Sequence, residues 1–327
     1  MAEWSKAAVL KTVEGKPSGG SNPSLSANYP AARKIERCVI HMLAIIDANE
    51  LRARLDDRSL RIIDCRFSLT DPDQGNAEYL SGHIPGAVYA HLDRDLAGVV
   101  SATTGRHPLP HPDDFTAVLR NWRIGPESEI VVYDSSGGAI AARLWWMLRH
   151  WVRHTATQVL DGGIAAWTAV DGALDAGTAA VSPSPTGLLS ATNADDSGWC
   201  TTAQLQQQQA LQRGMLIDAR DPQRFHGERE PIDPVAGHIP GAVNLPFSGN
   251  LTAAGTFRPR EELRRRFVDL LAGAAPSSIV HMCGSGVTAC HNLLAMDIAG
   301  LPDSRLYVGS WSEWIRDPER PIETASG

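Results

Sequence analysis

The chain of 327 residues has few cysteines, and no two of them form a CxxC pair. The five cysteines are Cys38, Cys65, Cys200, Cys283 and Cys290. This odd, scattered set is not the framework of a disulfide-stabilised secreted domain, and it favours a reducing compartment. No apolar run approaches the ~20 residues that a membrane-spanning helix needs. We therefore expect a soluble, cytoplasmic protein without a membrane partner.

An excess of positive charge is also missing. The net charge is -7 at pH 7, which argues against a nucleic-acid-binding surface. Hydrophobic residues make up 43% of the chain and charged residues 20%, as in ordinary globular proteins. Because a chain of this length exceeds what one ordinary core organises, two domains are expected.

The first 41 residues differ from the rest of the chain. They lack the apolar core and the cleavage site of a secretory signal, and we predict a poorly ordered N-terminal extension that carries no chemistry. The stretch Gly20-Ser-Asn-Pro is what a conserved arm of a transfer-RNA gene would encode in this frame. Our hypothesis is that the reading frame has been extended upstream and that the working protein starts near Met42.

An internal repeat is the strongest organisational signal in the sequence. The motif SGHIPGAV at 81–88 returns as AGHIPGAV at 236–243. In each copy an apolar strand ending in Asp-x-Arg precedes this motif, and a second strand with a glycine-rich turn follows it. The paired motifs DGGIAAW at 161–167 and VGSWSEW at 308–314 come after these turns. Duplication of one βα module of about 120–130 residues explains this order.

Within each copy, short β-branched strands alternate with helical stretches. This pattern is typical of an α/β fold in which a mostly parallel sheet is flanked by helices on both faces. The spacing of apolar residues predicts helices over 142–148 and 262–271. We predict a first module over 42–174, a linker over 175–199 and a second module over 200–320.

The motif HMCGSGVTAC places Cys283 at the end of an apolar strand. Ligands of open α/β sheets bind beyond the carboxyl ends of the strands. Gly284 and Gly286 permit backbone angles that turn successive N–H groups inward, and Ser285 and Thr288 add hydroxyl donors. Such a loop at a helix N-terminus favours the thiolate over the thiol. The pattern predicts a cysteine nucleophile whose negative charge is held by the loop.

The first copy has a different residue at the same place. Asp134, followed by Ser-Ser-Gly-Gly, stands where the second copy has Cys283. The fold therefore does not need a cysteine there, which weakens the alternative that Cys283 is only a small buried hydrophobe. We predict a catalytic second module and a non-catalytic first module.

These motifs resemble those of the rhodanese superfamily. The tandem HIPGAV motifs, the CGSGVTA loop and the GSWSEW motif are similar to those of its two-domain sulfurtransferases, over about residues 43–320. The loop is most similar to that of members that use 3-mercaptopyruvate, because Gly284 and Ser285 after the cysteine are small and neutral. The resemblance implies transfer of a sulfane sulfur from 3-mercaptopyruvate, through a persulfide on Cys283, to cyanide, a small thiol or thioredoxin. It implies no metal and no organic cofactor.

The resemblance also implies residues that bind the donor. Arg224 matches an arginine of the family's DARxxxRF stretch, and a planar guanidinium suits a carboxylate. The second family arginine normally follows a Glu-Pro pair, where this chain has Ile232, so Arg229 is the candidate replacement. The backbone of the cysteine loop is expected to contact the donor through Gly284, Ser285, Gly286, Val287 and Thr288.

A catalytic Ser-His-Asp relay is implied as well. Ser285 matches its serine, and His83 of the first HIPGA motif matches its histidine. His238 occupies the same motif in the second module, so the alternative is that this histidine braces a turn. Asp73 is one candidate for the acid.

Other functions are weighed against this one. A phosphatase also uses a cysteine in an amide cradle, but it needs an arginine six residues later, where this chain has Ala289. Thiosulfate stays open as the donor because Ile232 replaces the second arginine. A carrier that delivers persulfide sulfur to one protein partner stays open too. The spacing of Cys283, Cys290 and His291 fits no usual zinc pattern, and no metal site is predicted.

Overall fold

The computed structural model describes residues 44–179, 187–211 and 213–324. The extension predicted over 1–41 and the linker residues 180–186 lie outside the described residues. Within the described ranges, no helix combines the length and the apolar character needed to cross a membrane.

The first sheet consists of five short strands. They are β1 (Ile45–Ile46), β2 (Leu60–Asp64), β3 (Val88–Tyr89), β4 (Glu129–Tyr133) and β5 (Thr157–Leu160). Their order across the sheet is β1-β5-β4-β2-β3, and each neighbouring pair is parallel. The central strand β4 is almost continuously buried, as expected for a parallel strand covered on both faces.

The second sheet repeats the first. Its strands are β6 (Trp199–Cys200), β7 (Met215–Asp218), β8 (Val243–Asn244), β9 (Ile279–Met282) and β10 (Arg305–Tyr307). Their order is β6-β10-β9-β7-β8, again with parallel neighbours. The identical strand order in both sheets confirms the predicted α/β fold with tandem modules. The exact module bounds stay predictions.

Helices cover both sheets. The α-helices of the described residues are α1 (Ala48–Ala53), α2 (Gln74–Ser81), α3 (Leu92–Asp95), α4 (Pro112–Asn121), α5 (Ala141–Trp146), α6 (Gly163–Ala169), α7 (Thr202–Ala210), α8 (Pro222–Phe225), α9 (Arg260–Leu271), α10 (Ala289–Ile298) and α11 (Ser310–Trp314). A π-helical turn, Met147–Trp151, continues α5, so the helices predicted over 142–148 and 262–271 are confirmed. Helix α7 begins with a capping box formed by Thr201 and Gln204.

The two modules share one continuous apolar core. Helix α5 of the first module packs against α10 of the second. Trp145 and Trp146 belong to the same buried cluster as Leu294 and Met296. Because α5 and α10 begin just after β4 and β9, this contact brings the loops at the ends of those strands together.

In addition, one loop of each module packs against the other module. The loop between α3 and α4 lies against the second module, where the N–H of Arg106 donates to Ser312 Oγ at 3.0 Å. The loop between β8 and α9 lies against the first module, where the N–H of Phe257 donates to Asp161 Oδ1 at 2.8 Å. This exchange places side chains of the first module at the end of β9.

A buried histidine at the module contact predicts sensitivity to acid. His291 Nε2 lies 3.0 Å from Gly137 O, and burial lowers the pKa of the imidazole to about 4. In the unfolded chain the imidazole titrates near ~6.5, so below that pH the unfolded state binds more protons. Stability is therefore lost as the pH falls from about 6.5 toward 4. We expect His291 alone to lower the free energy of unfolding by about 1.4 kcal/mol between pH ~7.5 and ~5.5.

Urea unfolding at these two pH values measures the effect. Burial also lowers the pKa of His150 to about 4 and that of His281 to about 3, which acts in the same direction. The variant His291→Gln should be less stable than the wild type at neutral pH but should lose less stability on acidification. An equal pH dependence of the two proteins would contradict the assignment.

Candidate active site

Cys283 directly follows β9, at the carboxyl edge of the second sheet. Helix α11 fixes its backbone on both sides: the N–H of Cys283 donates to Ser310 Oγ at 3.1 Å, and the N–H of Trp311 donates to Cys283 O at 3.0 Å. Ser310 has a φ of 53°, in the left-handed region that residues with a Cβ avoid. Backbone strain of this kind concentrates at functional sites.

The loop after Cys283 presents backbone N–H groups without acceptors. In the part of the chain that the structure describes, no N–H from Gly284 to Ala289 makes a hydrogen bond. The carbonyl of Gly284 instead accepts from the Ser312 N–H at 2.8 Å. Gly286 adopts a φ of 76°, and a Cβ there would lie 2.5 Å from Val308 O, so this position requires glycine. The loop is therefore built to receive an anion beside Cys283.

The matching loop of the first module already holds an anion. Asp134 directly follows β4, as Cys283 directly follows β9. The carboxylate of Asp134 accepts four backbone hydrogen bonds from its own loop, at 2.8–2.9 Å. The donors are the N–H groups of Ser136, Gly138, Ile140 and Ala141. The duplicated loop thus binds the Asp134 carboxylate in the first module, and in the second module it follows a cysteine with its N–H groups still without acceptors in the described residues.

Ser285 contacts a histidine of the first module. Its Oγ lies 2.7 Å from His107 Nδ1, and His107 Nε2 lies 3.0 Å from Asp93 Oδ1. Burial lowers the pKa of His107, although Asp93 opposes this effect, so the ring is neutral near pH 7. The hydrogen bond from His107 lowers the pKa of Asp93. A neutral ring that donates from Nε2 to the carboxylate leaves Nδ1 to accept the Ser285 hydroxyl proton.

The sequence assigns this place to His83, whereas the structure places His107 beside Ser285 and His83 in a different contact. His83 Nδ1 lies 2.8 Å from Tyr79 O, and its ring stacks on that of Tyr79. In the second module His238 Nδ1 lies 2.8 Å from Phe225 O and its ring stacks on that of Phe225. Because both copies make the same contacts, the histidine of the HIPGAV motif braces a turn.

Two arginines from different modules lie over the start of the loop. A Cβ at Gly284 would lie 2.9 Å from Arg106 Nη2 and 3.4 Å from Arg224 Nη2, so both guanidiniums lie close to the backbone of Gly284. Both also bind Asp233: Arg224 Nη2 lies 3.0 Å from Oδ2, and Arg106 Nη1 contacts Oδ1. Burial raises the pKa of Asp233. The two cations form a carboxylate-binding pair beside Cys283.

Arg229, the predicted partner of Arg224, lies elsewhere. Its side chain is exposed, and its N–H donates to Gln223 O at 3.2 Å. The place next to Arg224 is taken by Arg106, which comes from the opposite module. Arg224 itself stays a predicted donor-binding residue.

The sequence does not single out Arg106, His107 or Asp93, although a signal is present. The second copy carries Thr256 and Phe257 after Gly255, where the first has Arg106 and His107 after its own glycine. Alignment of the two copies therefore shows that Arg106 and His107 are particular to the first copy, just as it shows that Cys283 is particular to the second. The acid candidate Asp73 only precedes α2, while Asp93 faces the ring.

Known proteins resemble this chain in both sequence and fold. The rhodanese-like domain family matches residues 47–170 and 201–317. The chain is 47% identical over 283 residues to the "Probable 3-mercaptopyruvate sulfurtransferase" of Pseudomonas aeruginosa, covering 86% of this chain and 98% of that protein. It is 40% identical over 262 residues to a Mycobacterium tuberculosis protein provisionally named thiosulfate sulfurtransferase SseB, covering 80% and 89%. The solved structure of 3-mercaptopyruvate sulfurtransferase from Leishmania major matches with a TM-score of 0.72 and 32% identity, covering 83% of this chain and 74% of that one.

Proposed function

The chain belongs to the rhodanese-like family and is a sulfurtransferase, and from that premise we propose that Cys283 carries the transferred sulfur as a persulfide. One observation carries the proposal. The loop after Cys283 presents N–H groups without acceptors in the described residues, while the same loop of the first module binds the Asp134 carboxylate. Backbone dipoles fixed around one sulfur stabilise its anionic forms before and after transfer. The second module is then catalytic, and the first supports it.

The proposed donor is 3-mercaptopyruvate. The Cys283 thiolate attacks the donor sulfur, so that an S–S bond forms as the C–S bond breaks and the electron pair passes to the CH₂ carbon as an enolate. The proton of the donor thiol moves to that carbon. Pyruvate then leaves, and Cys283 holds an anionic persulfide. Ser285 and His107, joined at 2.7 Å, are placed to transfer this proton.

Donor orientation is assigned to the two arginines over Gly284. Arg224 and Arg106 bind the donor's carboxylate and keto oxygen, because planar guanidiniums bind such oxygens in pairs. Their shared contact with Asp233 keeps both guanidiniums in place before the donor binds. The donor sulfur is thereby directed at Cys283, which adjoins Gly284.

The second half-reaction regenerates the free Cys283 thiolate. A thiophilic acceptor attacks the outer sulfur, takes it, and releases the Cys283 thiolate. Cyanide leaves as thiocyanate, and a small thiol or thioredoxin leaves as a persulfide. Atoms and electrons balance in both steps without an added oxidant or reductant. We place this reaction in the cytoplasm.

Intact mass spectrometry after exposure to 3-mercaptopyruvate tests the proposal. The wild type should gain about 32 Da, one sulfur atom, and should lose it when cyanide is added. Cys283→Ser should gain nothing, whereas the matched control Cys290→Ser should gain the same mass as the wild type. Loading of Cys283→Ser would contradict the assignment. A single burst without turnover on small thiols would identify a carrier instead of an enzyme.

Thiosulfate is a second candidate donor. Two guanidiniums over Gly284 suit a dianion, and the relative from Mycobacterium tuberculosis carries a thiosulfate name. Steady-state kinetics with both donors decides between them. A kcat/KM for thiosulfate above that for 3-mercaptopyruvate would make thiosulfate the donor.

A further inference from the structure

Arg143 is a buried cation of the first module that reaches the cysteine loop of the second. It lies in α5, and its side chain is inaccessible to solvent. Nη1 donates to Gly286 O at 3.1 Å, and Nη2 donates to His107 O at 3.2 Å. One guanidinium therefore ties the loop after Cys283 to the segment that carries the relay histidine.

The hydrogen bond to Gly286 determines how the loop presents its N–H groups. The described residues contain no cis peptide bond, so the C=O of Gly286 and the N–H of Val287 point in opposite directions. With the carbonyl held by Arg143, the N–H of Val287 faces away from that buried side. The same carbonyl also accepts from Cys290 Sγ at 3.3 Å, a weaker donor, so the guanidinium is its stronger support.

The positive charge of Arg143 has no carboxylate partner among the described residues. A buried charge without an ionised partner is costly, and its Nε has no hydrogen-bond partner within the described ranges either. Burial lowers the pKa of Arg143, and charge on Cys290 or Cys283 acts in the opposite direction. Burial raises the pKa of Cys290 to about 12, so Cys290 stays a neutral thiol. The guanidinium is therefore held by two backbone carbonyls, those of Gly286 and His107, rather than by an ion pair within the described ranges.

We propose that Arg143 is a positioning residue for sulfur transfer, which orients the cysteine loop through Gly286 and holds the relay segment through His107. The proposal deepens the proposed function and rests on it. It can nevertheless be measured without a donor, because it concerns the resting conformation of the two segments that Arg143 joins. The other charged groups near the loop, Arg106 and Arg224, stay unchanged in every variant below.

Steady-state kinetics with 3-mercaptopyruvate, together with amide hydrogen exchange of the resting protein, is the experiment. Arg143→Met should lower kcat by ~10-fold or more and change KM by less than about threefold, because it releases the loop and the relay segment while Arg106 and Arg224 stay in place. Amide exchange should become faster both in the loop after Cys283 and in the segment around His107, since each loses a hydrogen bond to the guanidinium. Arg143→Lys keeps the charge but should restore kcat only in part, because one ammonium does not reproduce the planar fork on two carbonyls.

Arg149→Met is the matched control. Arg149 is a buried arginine on the π-helical turn that continues α5, where Nη1 donates to Thr155 O at 3.1 Å and Nη2 lies 3.6 Å from Asp297 Oδ2. Its removal should destabilise the protein but should lower kcat by less than about twofold. An equal loss of kcat in both variants would show that Arg143 acts only through stability and would overturn the proposal.

A spectroscopic readout covers the case in which Arg143→Met does not fold. In wild-type protein labelled with ¹⁵N-arginine, the Arg143 Nε resonance, assigned by its loss in Arg143→Lys, should shift when Cys283 is alkylated to a neutral thioether. A resonance that does not respond, or a folded Arg143→Met with unchanged amide exchange in both segments, overturns the proposal. If the exchange changes but no donor loads wild-type Cys283, the proposed function fails and the assignment of Arg143 stands.

Discussion

His107→Phe is expected to lower kcat with 3-mercaptopyruvate by ~100- to ~1,000-fold, which is the usual contribution of a positioned proton-transfer group. Phenylalanine is also a planar aromatic side chain, although a larger one, and it is the residue that the second copy carries at this place, Phe257. It removes the ring nitrogen 2.7 Å from Ser285 Oγ. Stopped-flow measurement of pyruvate release in the first turnover checks the effect on the donor half-reaction.

His83→Phe is the matched control. His83 stacks on Tyr79 and contacts only structural groups in the described residues, so this variant should retain kcat within about twofold. It should lose stability instead, because the hydrogen bond to Tyr79 O is removed. A kcat that falls more in His83→Phe than in His107→Phe would reverse the roles that the structure assigns.

Removal of either arginine over Gly284 is expected to raise KM for 3-mercaptopyruvate by ~10- to ~100-fold, because a charged hydrogen bond to the donor is lost. The variants are Arg106→Met and Arg224→Met. Because pyruvate shares the carboxylate and keto oxygen, its inhibition constant should rise in parallel. Steady-state kinetics with pyruvate as product inhibitor measures both quantities.

Arg229→Met is the control for this pair, since Arg229 is exposed and lies elsewhere. It should change KM by less than about twofold. If Arg106→Met behaves like Arg229→Met, the donor site does not extend across the two modules. If Arg229→Met behaves like Arg224→Met, the exposed arginine moves into the site when the donor binds.

The cysteine loop could be predicted from sequence because the chain contains its own comparison. Asp134 and Cys283 stand at the same place of two copies, so the difference separates chemistry from folding. The strands could also be predicted from the local pattern of apolar residues, because parallel strands covered on both faces are short apolar runs. These features depend on residues that are close together in the chain.

The relay could not be predicted in the same way. Ser285 and His107 are 178 positions apart and meet only because α5 packs on α10 and the α3–α4 loop crosses to the other module. The sequence pattern favours the HIPGAV histidine as the relay histidine. A motif that recurs in both modules, however, indicates a turn that both modules share. Arg143 could not be predicted for a related reason. In the sequence it is an ordinary residue of a helix, and its burial arises only from the contact between the modules.

The central claim is that backbone N–H groups hold the anionic sulfur of Cys283. A crystal structure of the wild type soaked with donor, after mass spectrometry has confirmed persulfide loading, tests it most directly. The account predicts an outer sulfur within hydrogen-bonding distance of several N–H groups between Gly284 and Ala289, as the Asp134 carboxylate lies among those of its own loop. A loaded sulfur that points away from these amides, or that sits on another cysteine, would contradict it.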